Sequence, residues 1–138
     1  MFRIFNTSYL ALVAIAGLAA QPAFAETPDE ILAAIHKEAA GTPGFLGFSA
    51  ARGESFFKTK HGYEWSCSSC HTENPAAQGK HAKTGQVVEP IAPSANAERF
   101  TNPKKVEKWF KRNCQDVLER ACTAQEKGDF LTYLLSIK

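Results

Sequence analysis

Methionine is all but missing from this 138-residue chain: its one copy is Met1. No thioether side chain is therefore on hand further along, whether to fill a core or to ligate a metal. An excess of one charge is missing as well. Sixteen Lys and Arg against fourteen Asp and Glu leave a net charge of +2, which argues against nucleic acid as the main partner. Strong period-two alternation is absent, and so is any internal repeat, which leaves an all-α reading. The N-terminal apolar run, Tyr9 to Ala20, falls short of the roughly 20 residues that span a bilayer. A hydrophobic content of 44% excludes a disordered or collagen-like chain and suits one globular domain.

What is present begins with that apolar run. Arg3 precedes it, and Ala23-Phe24-Ala25 follows as a small-x-small cleavage site. Residues 1–25 are expected to be a secretory signal peptide, leaving 26–138 as a soluble, exported, periplasmic domain. Removing the leader removes Met1 with it.

The rest reads as helices joined by long loops. Thr27, Pro28 and Glu30 form a capping box that opens a helix carrying Ile31, Ala34, Ile35 and Ala39 at helical spacing, and Gly41 stops it. A second short helix is expected from Ala50 to Lys58. Thr72 to Pro93 holds three prolines, two glycines and few large apolar residues, the pattern of a long surface loop. Asn102-Pro103 caps a helix in which Val106, Trp109, Phe110, Asn113 and Val117 share one face, opposite Lys104, Lys105, Lys108, Lys111 and Arg112. Thr123 and Glu126 form a capping box for the last helix, which carries Phe130, Leu131, Leu134, Leu135 and Ile137.

The strongest chemical signal is Cys67-Ser68-Ser69-Cys70-His71. C-x-x-C-H is the attachment signature of c-type haem. Two thiols three residues apart each add across one vinyl group at one porphyrin edge, and the adjacent imidazole ligates iron. A thioredoxin-like C-x-x-C calls for a βαβ setting, and a zinc site calls for a second ligand pair at metal spacing. The sequence offers neither. One motif implies one haem c. Cys114 and Cys122 remain, and in an exported protein they read as a disulfide, with a pair of buried free thiols as the alternative.

Electron-carrying c-type cytochromes commonly use an axial Met, which the chain beyond residue 25 does not contain. The sixth iron position then falls to His36, His61, His81, Asn113, water or nothing. Asn113 stands out because an amide on an apolar helix face requires a polar partner.

The stretches CSSCHTENPA, EPIAPSANAERFTNPKKVEKWFKRNCQDV and ACTAQEKGDFLTYLL resemble the sphaeroides haem protein (SHP) family of oxygen-binding c-type cytochromes, which is related to the cytochrome c″ group. The likeness spans most of residues 26–138. It implies an all-α fold like class I cytochrome c, with the first and last helices packed together. It also implies a disulfide between Cys114 and Cys122, haem on Cys67 and Cys70, and His71 as the proximal ligand. The residue before Cys114 is an axial His in cytochrome c″ and an axial Asn in SHP. Asn113 therefore groups this chain with SHP and implies an amide ligand released on reduction, which opens the iron to O₂ or NO. Trp109 and Phe110 are candidate pocket walls. Carbonyls of the loop between Pro90 and Pro93 are candidate acceptors for the His71 ring N–H. The resemblance further implies a redox partner among multihaem or membrane-bound cytochromes. The basic face from Lys104 to Arg112 reads either as a surface that steers an acidic redox partner or as a solvated helix face. A plain electron carrier and a haem enzyme reducing O₂, NO, peroxide or another nitrogen oxide are the competing functions.

Overall fold

The computed structural model describes residues 25–62 and 64–138. The leader expected over 1–25 therefore lies, Ala25 apart, outside the described residues. Among the described residues no helix is long and apolar enough to cross a membrane. The described residues form five helices in order: α1 (Pro28–Ala40), α2 (Ala50–Lys58), α3 (Ser68–His71), α4 (Pro103–Leu118) and α5 (Ala124–Ser136). A small antiparallel hairpin, β1 (Gly79–Lys80) and β2 (Val87–Val88), lies between α3 and α4, with Gly79 opposite Val88. The long loop read over Thr72–Pro93 thus contains a hairpin too short to leave an alternating pattern in the sequence.

Local chemistry sets the helix ends. The Thr27 hydroxyl accepts the Glu30 N–H while Glu30 accepts the Thr27 N–H, and Thr123 and Glu126 repeat the arrangement at α5. Ser49 and Asn102 cap α2 and α4 with their side-chain oxygens, and Pro103 follows at the first turn of α4.

The core is built around α5, which packs on α2 and on α1. Ile31 and Ile35 of α1 share one buried cluster with Phe57 of α2 and Phe130, Leu131, Tyr133 and Leu134 of α5, and Ala39 is buried as well. Phe57, Leu131 and Leu134 are wholly shielded, and each contributes roughly 2 kcal/mol by leaving water. The α2–α5 crossing is close: a Cβ on Gly53 would stand 1.9 Å from the Asp129 carbonyl oxygen. Buried Asp129 locks that crossing by accepting the Ser49 N–H at 2.7 Å, Arg52 Nε at 2.8 Å and Gln125 Nε2 at 3.1 Å.

Helix α4 is attached mainly through side chains. The Phe110 ring meets Phe130 with centroids 5.7 Å apart, Phe100 lies 6.5 Å from Phe110, and Lys127 pairs with Glu107 at 3.2 Å. Cys114 and Cys122 form a disulfide with Cα atoms 5.6 Å apart. The buried stripe of α4 is Phe110, Cys114 and Leu118. Val106 and Val117 are half-buried, whereas Asn113 is exposed and Trp109 is 40% exposed. The shared face expected from spacing is therefore graded: at 100° per residue, Trp109 and Asn113 fall on its outer edge.

Candidate haem-attachment site

The turn α3 is a single helical turn at whose start Cys67 takes right-handed helical dihedrals, so Cys67 and Cys70 stand three residues apart on one side of it. The Cys70 and His71 amides donate to the Cys67 carbonyl at 3.3 and 3.1 Å, and a serine cluster steadies the start. Ser66 Oγ lies 2.9 Å from Ser68 Oγ and 3.1 Å from Ser69 Oγ. The chain leaves α3 through Thr72, whose φ of 62° is uncommon for a β-branched residue. Its hydroxyl donates to the Asn74 carbonyl at 2.9 Å and accepts the Asn74 N–H at 3.2 Å, holding the sharp exit immediately after His71.

The donor set fits covalent haem and not the competing chemistries. Cys114 and Cys122 are bridged to each other, which leaves Cys67 and Cys70 as the two thiols for the haem. Burial pushes the Cys67 thiol up to about 12, the opposite of the lowered value that a disulfide-exchange C-x-x-C needs. Among the described residues no three His, Cys, Asp or Glu side chains gather as a metal-binding group, so a zinc site finds no further ligands. His71 is half-buried. Burial, and after it the charge of Arg99, holds its pKa down to about 4, so the imidazole is neutral at physiological pH, as an iron ligand must be.

The surroundings are aromatic and tightly fitted. The His71 ring lies 6.5 Å from that of Phe57, which continues to Phe130 at 6.2 Å and from there to Phe110. A run of packed rings thus links the proximal His to α4. On the other side, the Ala82 N–H donates to Cys70 Sγ at 3.3 Å, and Gly79 packs against the Cys70 carbonyl. These residues come from the hairpin, which folds back on α3.

Arg99 was not singled out by sequence reasoning, although it belongs to the ERFT stretch. It is half-buried, and its guanidinium donates from Nε to the Pro90 carbonyl and from Nη2 to that of Glu89, both at 2.9 Å. Asn96 Nδ2 also reaches the Pro90 carbonyl, at 3.5 Å. The Pro90 carbonyl, one of those considered for His71, thus accepts from Arg99 and Asn96. The same loop is tied to the segment after His71 by the Ile91 and Ala92 amides, both donating to the Pro75 carbonyl at 3.0 Å.

The other histidines have local roles. His36 makes edge-to-face contacts with Phe45 and Phe48 at 5.2 and 5.5 Å. The His61 ring lies tilted by 45° against that of Phe56, with centroids 4.7 Å apart, and its Nε2 is 2.9 Å from the Phe56 carbonyl. His81 Nδ1 accepts the Lys83 and Thr84 amides at 3.3 Å, closing the hairpin turn. Asn113 stands one position before the disulfide, on the outer edge of α4 beside Trp109, while Phe110 is in the core.

Comparison with known proteins follows this geometry. Residues 43–134 match a family described as Domain of unknown function (DUF1924). Cytochrome c″ of Methylophilus methylotrophus is 48% identical over 80 residues, 58% of this chain and 56% of that protein, so the match spans just over half the relative's length. Its oxidised crystal structure superposes with a TM-score of 0.70 at 36% identity, covering 80% of this chain and 94% of that one. Cytochrome c-type protein SHP of Cereibacter sphaeroides is 39% identical over 133 residues, 93% of this chain and 97% of that protein. The structure of oxidised SHP, described as an oxygen-binding cytochrome c, gives a TM-score of 0.69 at 36% identity, covering 80% and 96%.

Proposed function

We propose a function for a chain that belongs to the family of SHP and cytochrome c″: a periplasmic monohaem cytochrome whose distal Asn leaves the iron on reduction and so admits O₂ or NO. The chain has the class I-like cytochrome c fold and carries one covalently bound haem c. When bound, the haem supplies one-electron redox chemistry and an iron site for a diatomic ligand.

Cys67 and Cys70 would hold the group covalently, and His71 and Asn113 would ligate its iron. The observation that carries this reading is the combination of the C-x-x-C-H turn with Asn113, in place of Met or His, directly before Cys114. The disulfide fixes the α4 backbone next to Asn113 in either state, so exchange of the ligand is a side-chain event.

A neutral amide oxygen or nitrogen is a weaker ligand than imidazole. The Asn113 amide would bind ferric iron, the harder acid, better than ferrous iron, so a small free-energy difference would suffice for it to leave on reduction. Once free, the Asn113 NH₂ has two N–H donors for a hydrogen bond to O₂ or NO. Phe110 backs the Asn113 edge from the core side, and Trp109 flanks it. A partner cytochrome, multihaem or membrane-bound, delivers the electron.

Optical and EPR spectra of the oxidised and reduced protein, with and without NO, test the reading. The expected result is a six-coordinate ferric form, a five-coordinate high-spin ferrous form and ready NO binding by the latter. A ferrous protein that stays six-coordinate and excludes NO would make it a plain electron carrier. Multiple turnovers of O₂, NO or peroxide with a defined reductant would make it an enzyme.

A further inference from the structure

We propose that Arg99 is a positioning residue on the proximal side of the iron. Its forked hold on the Glu89–Pro90 backbone keeps a fixed positive charge beside His71, and that charge raises the reduction potential at which the distal ligand is let go. The proposal rests on the reading of the chain as a haem protein whose iron is held by His71 and loses its distal ligand on reduction. Three observations carry it.

The guanidinium is held in one place. Nε donates to the Pro90 carbonyl and Nη2 to that of Glu89, both at 2.9 Å. A planar fork laid across two adjacent backbone oxygens is a geometry that Arg offers and Lys does not. The platform under the fork is fixed as well. Ile91 and Ala92 are buried, and both donate their amides to the carbonyl of Pro75, four residues after His71. The loop that carries the cation is thus bonded to the segment that leaves the proximal ligand.

The charge is not cancelled. Among the described residues the Arg99 guanidinium makes no ion pair. Glu89 is the carboxylate that acts on it, but Glu89 is exposed and accepts from Gln78 Nε2 at 3.1 Å. Bonds to neutral carbonyls leave a cation its full charge, and a half-buried one is screened less than one in open solvent. That charge reaches His71, where it adds to burial in keeping the imidazole neutral. Ferric iron carries one positive charge more than ferrous iron, so a fixed cation nearby disfavours the ferric state and raises the potential.

The backbone supplies the third observation. Phe100, directly after Arg99, has a φ of 57°, a left-handed conformation in which a bulky residue is an outlier. Its ring lies 6.5 Å from that of Phe110 and 6.4 Å from that of Phe130. The turn at Phe100 therefore gives adjacent side chains separate tasks: Phe100 joins the rings between α4 and α5, and Arg99 reaches the loop beside His71. Strain of this kind persists where the surrounding structure over-determines it, and it collects at functional sites.

The test measures the reduction potential of the holoprotein by spectroelectrochemistry, with the resonance Raman band of the ferrous iron–imidazole bond as a second readout. Arg99→Gln should shift the redox equilibrium roughly ten-fold toward the ferric form, a fall of about 59 mV for one electron. Arg99→Lys keeps the charge but not the fork, so it should recover most of the potential while the Raman band shifts or broadens. Lys37→Gln removes one exposed charge from the last turn of α1 and should leave both readouts near those of the wild type. A haem-loaded Arg99→Gln with an unchanged potential would overturn the proposal, and so would an equal fall in Lys37→Gln, because net charge alone would then account for it. Arg99→Lys is the milder change and decides by itself if Arg99→Gln does not take up haem: a wild-type Raman band there would remove the positioning role. A wild-type ferrous protein with no iron–imidazole band would instead strike at the functional reading, since the band belongs to five-coordinate ferrous haem, so the two failures are distinguishable.

Discussion

Gly79 of the hairpin packs directly on the backbone of Cys70: a Cβ at Gly79 would stand 2.0 Å from the Cys70 carbonyl oxygen and 3.1 Å from the His71 Cα. Only hydrogen fits there. The contact locks β1 to the haem-bearing turn, so Gly79→Ala should lower stability by about 1–3 kcal/mol, as overpacking does, and disturb the haem spectrum. Gly41→Ala is the contrast. Its φ is −79° and its nearest neighbour would be 3.8 Å away, so unfolding of the holoprotein in urea should show little loss or a slight gain.

Haem attachment has a direct chemical readout. Thioethers at Cys67 and Cys70 keep the haem on the denatured chain through acid–organic extraction, whereas non-covalent haem is removed. C67A/C70A should lose covalent haem with His71 intact. A wild-type haem that extracts freely would overturn the attachment.

Asn113 carries the functional reading. Asn113→Ala should fold around its haem and give a ferric spectrum that is high-spin or water-ligated. Asn113→His should bind the ferrous iron more firmly and slow NO binding. An unchanged ferric spectrum in Asn113→Ala would pass the role to His36, His61 or His81, to be sought by single His→Ala variants.

The disulfide closes a loop with a sequence separation of 8, and chain entropy gives it about 2.6 kcal/mol of stabilisation. Reducing it should lower the unfolding free energy by that order and loosen α4 near Asn113. Alkylation of the unreduced holoprotein followed by intact-mass analysis should find Cys114 and Cys122 unmodified.

Glu126 gives a pH prediction. Burial raises its pKa, but the Arg120 guanidinium and the Thr123 N–H outweigh burial and leave it below the ordinary carboxylate value. A carboxyl whose pKa is depressed by folding stabilises the native state above its unfolded pKa and loses that contribution as pH falls through the folded one. Glu126→Gln should therefore be less stable than wild type by about 1 kcal/mol near neutral pH. The two should converge below about pH 4 in urea titrations.

What the sequence determined by itself is whatever depends on residues close together along the chain. The capping boxes of α1 and α5 each need partners three residues apart, and the C-x-x-C-H turn needs five consecutive residues. Helix positions and haem chemistry are therefore written locally. The hairpin was illegible because two-residue strands carry no period, and its close approach to Cys70 through Gly79 links residues far beyond any local pattern. Asp129 reads as one more polar residue of a helix until its carboxylate meets Ser49 and Arg52, 80 and 77 residues away. Arg99 is likewise unremarkable until the loop folds it beside His71. On α4, periodicity grouped Trp109 and Asn113 with Phe110, but the tertiary structure decided which of them is buried. Phe130 packs on Phe110 and Cys122 is bonded to Cys114, while Trp109 and Asn113 stay exposed at the edge of that arc.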